Sequence, residues 1–455
     1  MNINKINKVF FLGIGGIGMS ALARYFISKA CQVSGYDRTP SPITDSLQQE
    51  GAAIFFSDEP SLISEELMNS PTSLFIYTPA IPTENLILQS LQQAKKHLYK
   101  RSEILGALSK DYNTIGIAGT HGKTTVSSMT AHILNESQQG CQAFLGGIAL
   151  NYKSNMISHS QSHWMVVEAD EYDHSFLQLF PSLALITSMD ADHLDIYGNH
   201  ENLIQAFQKY ASQIKPDGRL IVKHSLAHYF SQNENLFTYD IQNSAAHFYA
   251  EDIRMINHQY HFNFIYPQGK IENIILQMPG MVNLENAVAS AGAAKLSGTS
   301  DHEIKNALQS FLGIKRRMEL ILDNEKITFY DDYAHHPKEI EASINSLKAL
   351  YPNRELTVLF QPHLFSRTLD FAQDFALSLG KADHLILLEI YPAREKPIEG
   401  VSSKIILNNV LHKNKVLLTK ESLRPYLMQQ QPELLLSLGA GDIDRLVEPI
   451  KRDFI

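Results

Sequence analysis

The segment Gly119-Thr120-His121-Gly122-Lys123-Thr124-Thr125 follows the apolar run TIGIA and opens a helical pattern. A glycine turn between a strand and a helix presents backbone N–H groups that can cradle phosphate oxygens. Lys123 is then placed to reach β- and γ-phosphates, and the Thr124 hydroxyl to ligate Mg²⁺. The standard G-x-x-x-x-G-K-[ST] loop would have glycine where Ile117 stands; here the glycine is Gly119, so the turn is a shortened variant. Two acidic stretches, Glu168-Ala169-Asp170-Glu171-Tyr172-Asp173 and Asp190-Ala191-Asp192-His193-Leu194-Asp195, each follow a strand-like run. Carboxylates massed in this way repel one another unless they share a cation. Glu168 and His193 are therefore candidates to hold Mg²⁺ beside the loop, whereas Glu171 and Asp173 read at least as well as solvated loop carboxylates.

A second glycine turn, Gly13-Ile14-Gly15-Gly16-Ile17-Gly18, lies between the strand-like KVFFL and a helical pattern. Its Gly13, Gly15 and Gly18 match G-x-G-x-x-G, which lets a diphosphate approach the backbone at a helix start. Asp37, after the second strand, stands where an acidic residue meets a ribose hydroxyl. If this turn held a nicotinamide dinucleotide, the chain would be an oxidoreductase, but GTHGKTT and both acidic stretches would then have no role. Ile117 counts against a P-loop switch protein. Further on, Tyr330-Asp331-Asp332-Tyr333-Ala334-His335-His336-Pro337 and Gln361-Pro362-His363-Leu364-Phe365-Ser366-Arg367 each follow a strand. Neither H-x-x-x-H nor C-x-x-C spacing appears, so these groups read as orienting a carboxylate or an amine rather than binding zinc. Lys315-Arg316-Arg317 is a cationic cluster, either solvated or aimed at a phosphate.

The elements that must position these groups alternate between strand and helix. Lys8 to Leu12, Gln32 to Tyr36 and Ser73 to Tyr77 read as buried parallel strands, with a helix over Met19 to Ala30. That order predicts a doubly wound α/β sheet. Strands are expected again at Thr114 to Gly119, Trp164 to Glu168 and Leu183 to Thr187, with helices at Val126 to Asn135 and Asn283 to Ser297. Phe237 to Ile275, rich in Tyr, Phe, His and Asn, suggests antiparallel ribbons added to the second sheet. A third unit carries strands at Ile327 to Tyr330, Leu356 to Phe360, His384 to Leu388 and Leu434 to Leu438. The expected domains are 1–107, 108–313 and 314–455, about what 455 residues allow.

Composition narrows the classes further. Lys and Arg total 39 against 48 Asp and Glu, a net charge of −9, which argues against a general nucleic-acid binder. Two cysteines cannot make a disulfide framework, no apolar run approaches a membrane span, and the first residues lack a signal-peptide pattern. A soluble cytoplasmic protein with no obligate protein partner is the expectation.

Taken together, GTHGKTT at 119–125, EADEYD at 168–173, DADHLD at 190–195, NLENA at 283–287, KRRME at 315–319 and DDYAHHP at 331–337 resemble the Mur ligases in order and spacing. These enzymes form amide bonds with ATP in peptidoglycan precursor synthesis. LGIGGIGMSALA at 12–23 and QPHLFSR at 361–367 look like the members that join L-alanine to UDP-N-acetylmuramate rather than the muropeptide-recycling ones. The resemblance implies a three-domain architecture: a Rossmann-like N-terminal domain for the UDP-sugar, a central P-loop ATPase-like domain for ATP and Mg²⁺, and a C-terminal α/β domain for the amino acid. It puts Lys123, Thr124, Glu168 and His193 at the phosphate and metal centre, Asn286 at the adenine, Arg317 at the γ-phosphate and Asp332 at the nucleotide. Tyr333, His335, His363 and Arg367 would lie toward the muramyl carboxylate and alanine, with Gly13, Gly15, Gly16, Gly18 and Asp37 toward the UDP-sugar. The chain departs from the pattern at Leu364, where many members carry Arg.

Overall fold

The structure, a computed structural model, describes residues 3–159, 161–393 and 395–455, and the side chains of Asn4, Leu194 and Asp195 lie outside the described set. The chain packs as two compact units, one of Met1–Ile253, Phe262–Ile274 and Glu285–Phe311, the other of Arg254–His261, Ile275–Leu284 and Leu312–Ile455.

In the first unit, β1 (Lys8–Leu12), β2 (Gln32–Tyr36), β3 (Ala53–Phe55), β4 (Ser73–Tyr77) and β5 (Leu98–Lys100) form a sheet in the order β3-β2-β1-β4-β5. All its pairs are parallel. The side chains of KVFFL from Val9 to Leu12 are fully buried, as expected for a parallel strand covered on both faces. The order reverses beside β1, and the glycine turn after that strand sits at the switch point, where open α/β sheets bind ligands.

The second sheet contains β6 (Asn113–Ala118), β7 (Gln142–Ala149), β8 (Ser154–Ser158), β9 (Trp164–Glu168), β10 (Leu183–Ile186), β11 (Arg219–Lys223) and β12 (Leu236–Tyr239). Its order is β12-β11-β10-β6-β9-β7-β8. β9 and β10 flank β6 in parallel, so the loops after all three emerge at one edge. One apolar core joins this sheet to the first: the Tyr25 ring lies 5.5 Å from that of Phe144. A polar tie reinforces it, since Arg24 donates to Asn155 Oδ1 at 2.5 Å while pairing with Glu50 at 2.9 Å.

The aromatic stretch after residue 237 departs from expectation. β12 extends the second sheet in parallel, but β13 (Tyr249–Ile256), β14 (Gln259–Tyr266) and β15 (Gly269–Leu276) make a three-stranded sheet of their own. Two-residue turns at 257–258 and 267–268 join them, and so short a link permits only antiparallel neighbours. Alternation in QYHFNFIY buries Tyr260, Phe262 and Phe264 on one face, which cannot be matched to a parallel sheet buried on both.

In the second unit, β16 (Glu319–Asp323), β17 (Thr328–Asp332), β18 (Leu356–Phe360), β19 (His384–Leu388), β20 (Lys415–Leu418) and β21 (Leu434–Leu438) run in the order β16-β17-β21-β18-β19-β20. Only β16 is antiparallel to its neighbour. The last strand in sequence, LLLSL, is inserted at the centre and wholly buried. Truncating Leu436 there to Ala would cost about 2–5 kcal/mol. Among the described residues, no helix is long and apolar enough to cross a membrane.

Candidate active site

The loop after β6 turns on two glycines that no other residue could replace without strain. Gly119 has φ +136°, and a Cβ there would strike the Thr187 hydroxyl; Gly122 has φ +82° and stands 3.1 Å, measured from an ideal Cβ, from Asn286 Oδ1. The loop is braced by the segment after β10: Thr120 Oγ1 lies 2.9 Å from Ser188 Oγ, His121 N–H donates to that oxygen at 2.8 Å, and the Thr187 hydroxyl donates to the His121 carbonyl. The helix Lys123–Asn135 then begins at Gly122 with no capping side chain and no acidic residue in its first turn. Its leading N–H groups and positive dipole end face the loop, an arrangement suited to an anion. Thr125 is buried in that turn, while His121 pairs only loosely, at 3.7 Å, with the exposed Asp190.

Lys123 Nζ donates to Glu171 Oε2 at 2.8 Å, to Glu171 Oε1 at 3.0 Å and to the Gly119 carbonyl at 2.7 Å. Burial pulls the ammonium pKa down, but Glu171, Asp170 and Glu168 outweigh it and hold it above the ordinary lysine value. Thr124 Oγ1 donates to Glu168 Oε1 at 3.1 Å, and Gly146 N–H donates to Glu168 Oε2 at 3.0 Å. His193, in the left-handed region at φ +52°, points Nε2 toward Glu171 Oε1 at 3.7 Å and stands edge-on to Tyr172. Glu168 and Thr124 are thus together, with His193 reached through Glu171. Glu171 is fully buried, not a solvated loop carboxylate, because its partner Lys123 lies on the neighbouring strand's loop 48 residues earlier. Asp173 is half-exposed and pairs with Lys100 at 3.2 Å. Asn286, on the helix Met281–Leu296, faces the loop at Gly122. The hydroxyl of Thr124 and the carboxylate of Glu168 are hard oxygen donors beside a phosphate cradle, a fit for Mg²⁺ that keeps water and phosphate among its ligands.

At the first sheet, Gly15 N–H donates to Asp37 Oδ2 at 2.7 Å. Through that oxygen Asp37, the residue expected at a ribose hydroxyl, also braces the glycine turn, because β2 lies beside β1 and its last residue opens onto that loop. The helix Ile17–Ser28 starts from Gly16 without a side-chain cap, and Arg101 packs against Gly18. A cleft of about 360 Å³ opens nearby between Tyr77, Lys100, Asp173 and His174.

In the second unit the loops after β17, β21 and β18 share one edge. Arg316 is committed there: it pairs with Asp331 at 3.4 Å and donates to the Gly439 carbonyl. Both arginines lie over the Tyr333 ring, Arg316 at 5.1 Å and Arg317 at 5.5 Å. Asp332 is buried and accepts from the Ser343 hydroxyl; burial pushes its carboxyl up to about 6, against the pull of that hydroxyl and Arg317. His335 Nδ1 lies 3.0 Å from the Tyr333 carbonyl, which can only accept, so Nδ1 carries the proton and Nε2 the lone pair. Burial lowers the His335 pKa, with Glu339 pulling the other way and the Arg367 charge adding to the lowering. His336 has a different task, capping the helix Pro337–Leu350 through Lys338 N–H. The His363 ring stacks on Tyr391 with centroids 5.9 Å apart, and its pKa too is lowered by burial, then by His335 and Arg367. Leu364 sits at φ +71°, where a leucine is strained, and starts the helix Phe365–Asp370 that carries Arg367. Glu395 fixes that helix start by accepting from Ser366 N–H at 3.0 Å. Neither Tyr391 nor Glu395 had a signal in the sequence, since both act through a loop some 25 residues later.

Known proteins show the same organisation. The Mur ligase family catalytic domain matches residues 8–113, the Mur ligase middle domain 117–294, and the Mur ligase glutamate ligase domain 316–436. The UDP-N-acetylmuramate–L-alanine ligase of Phocaeicola vulgatus is 45% identical over 99% of this chain and 98% of its own length. That of Parabacteroides distasonis is 46% identical over 99% and 98%. The crystal structure of the UDP-N-acetylmuramate-alanine ligase of Thermotoga maritima superimposes with a TM-score of 0.82 at 25% identity, covering 98% of both chains. A murein peptide ligase from Psychrobacter arcticus shares the fold at a TM-score of 0.68 and 21% identity, again over 98% of both chains. With three family domains matched along its length and full-length relatives at 45–46% identity, the chain belongs to the Mur ligase family.

Proposed function

We propose that this ligase joins L-alanine to the lactyl carboxylate of UDP-N-acetylmuramate, consuming ATP and giving UDP-N-acetylmuramoyl-L-alanine, ADP and phosphate. The observation that carries the reading is the Lys123–Thr124–Glu168 arrangement at the head of an uncapped helix. It supplies a cation, a hydroxyl and a carboxylate where a γ-phosphoryl group would lie. The full-length relatives named for this reaction support the choice of substrates.

A carboxylate resists amines because its charge and resonance make it a poor electrophile. Phosphorylation by ATP converts it to an acyl phosphate, and the neutral amine of alanine then displaces phosphate through a tetrahedral intermediate. Lys123 and the helix N-terminus bind the phosphates and stabilise charge on the transferring group. Mg²⁺ bound by Thr124, Glu168 and His193 would neutralise phosphoryl oxygens. Arg317 adds positive charge for the γ-phosphate, Asn286 and Asp332 contact the nucleotide, and Gly13, Gly15, Gly16 and Gly18 carry the UDP-sugar diphosphate. Arg367 grips the alanine carboxylate, with Tyr333 and His363 beside it. His335 Nε2, neutral and holding a lone pair, takes the proton released by the amine. The same proposal divides the chain into domains at 1–107, 108–313 and 314–455.

A phosphate-release screen tests this. The purified chain should release phosphate from ATP only with UDP-N-acetylmuramate and L-alanine together. Release with a tripeptide in place of alanine would move it to the recycling ligases, and hydride transfer without ATP would remove it from ligation.

A further inference from the structure

Glu171 has no place in the chemistry above, yet it is the side chain most tightly bound to the phosphate-loop lysine. An ammonium has three N–H donors, and here all three are taken: two by the Glu171 oxygens and one by the Gly119 carbonyl. A lysine so engaged has no donor left for a phosphate oxygen. We propose that Glu171 is a positioning residue, a resting counter-ion that holds Lys123 in the nucleotide-free enzyme and that the nucleotide phosphates must displace. The inference rests on the reading of GTHGKTT as the nucleotide site.

The surroundings of Glu171 make the exchange costly and therefore consequential. Its side chain is completely shielded from water, so water cannot take over when Lys123 leaves. Its carbonyl accepts from Tyr197 O–H at 2.6 Å, which anchors the backbone. Asp173 and His174 follow in the left-handed region at φ +52° and +54°, so the carboxylate cannot simply swing out with its turn. Among its other polar neighbours are His193 Nε2, 3.7 Å away, and Asp170, whose charge acts on the carboxyl. Nucleotide affinity is thus the difference between two claims on one ammonium. This provides a physical reason for Lys123 to be in place before ATP arrives: it stays stretched across the loop, not folded into solvent.

The test is calorimetry of ADP binding to the full chain, as wild type, Glu171→Gln, Lys123→Met and the double variant. Glutamine keeps the shape but loses the charge, so Glu171→Gln should bind ADP about tenfold more tightly, within the range of coupling between contacting residues. Lys123→Met should weaken binding, and adding Glu171→Gln to it should change nothing further. Damage to folding does not tighten a ligand, so a gain separates this role from a structural one. If Glu171→Gln fails to fold, Glu171→Asp, with a shorter reach to Lys123, should give a smaller gain in the same direction. Unchanged or weaker ADP binding in the folded Glu171 variants would overturn the proposal. So would an equal gain in the Lys123→Met background, which would mean general charge repulsion. A wild type that binds no adenine nucleotide would instead bring down the nucleotide reading itself.

Discussion

The Thr124 hydroxyl and the Glu168 carboxylate meet at 3.1 Å, joining the first turn of a helix to the end of the strand beside it. Forty-four residues separate them in the chain. The parallel pairing of β6 with β9 sets Ile117 opposite Glu168 and so carries the carboxylate to the loop that holds the hydroxyl.

Metal dependence follows from this pair. Glu168→Gln and His193→Ala should each raise the Mg²⁺ concentration for half-maximal rate by about tenfold or more. Titrating Mg²⁺ at saturating ATP measures it, and unchanged curves in both variants would assign these residues to loop architecture alone.

Lys123→Ala separates two anion sites. Turnover should fall by about a hundred- to thousandfold, the scale of losing one charge-stabilising donor. UDP-N-acetylmuramate affinity should hold, because its glycine turn belongs to another sheet. The variant should also lose about 3–5 kcal/mol of stability, since Glu171 is left buried without its cation. Calorimetry with the UDP-sugar and a denaturant titration read the two effects separately.

Amine selection should depend on the planar fork of Arg367. Arg367→Lys should raise the KM for L-alanine about ten- to a hundredfold, with a smaller change for ATP. A rise confined to ATP would place Arg367 at the nucleotide; one confined to the UDP-sugar would place it at the muramyl carboxylate.

Asp332 gives the second unit a pH signature. Burial raises its carboxyl to about 6, above the unfolded value of 3.8. Between those values the folded state binds more protons, so its contribution to stability falls as pH rises through the window and levels off above about 6. Asp332→Asn removes this titration. Its thermal midpoint relative to wild type should therefore be higher at about pH 7.5 than at about pH 5, by the equivalent of about 1.4 kcal/mol. A constant difference between the two pH values would mean that Asp332 stays ionised throughout.

Much of this protein was determined by local sequence. KVFFL, WMVVE, LTVLF and LLLSL are strands because a parallel strand buried on both faces must be continuously apolar, and each lies where that rule puts it. The loops that follow them gather the charged and hydroxyl side chains at the strand ends, so GTHGKTT, EADE and DDYAHHP were legible as motifs. What tertiary structure decided is who meets whom. Glu171 looked like a solvated acid because nothing near it in sequence could pay for its burial; its cation comes from an adjacent strand. Asp37 meets the Gly15 N–H because β2 pairs with β1, a neighbour set by strand order. The ribbon β13–β15 separated from the second sheet because its alternation offers only one apolar face. The edge strands β16 and β20 went unseen because their apolar runs, LIL and VLL, are only three residues long, enough for a sheet edge that is only partly buried. Composition and spacing determine an element through contacts within it, whereas a charge buried in a sheet depends on strand order, which no local pattern encodes.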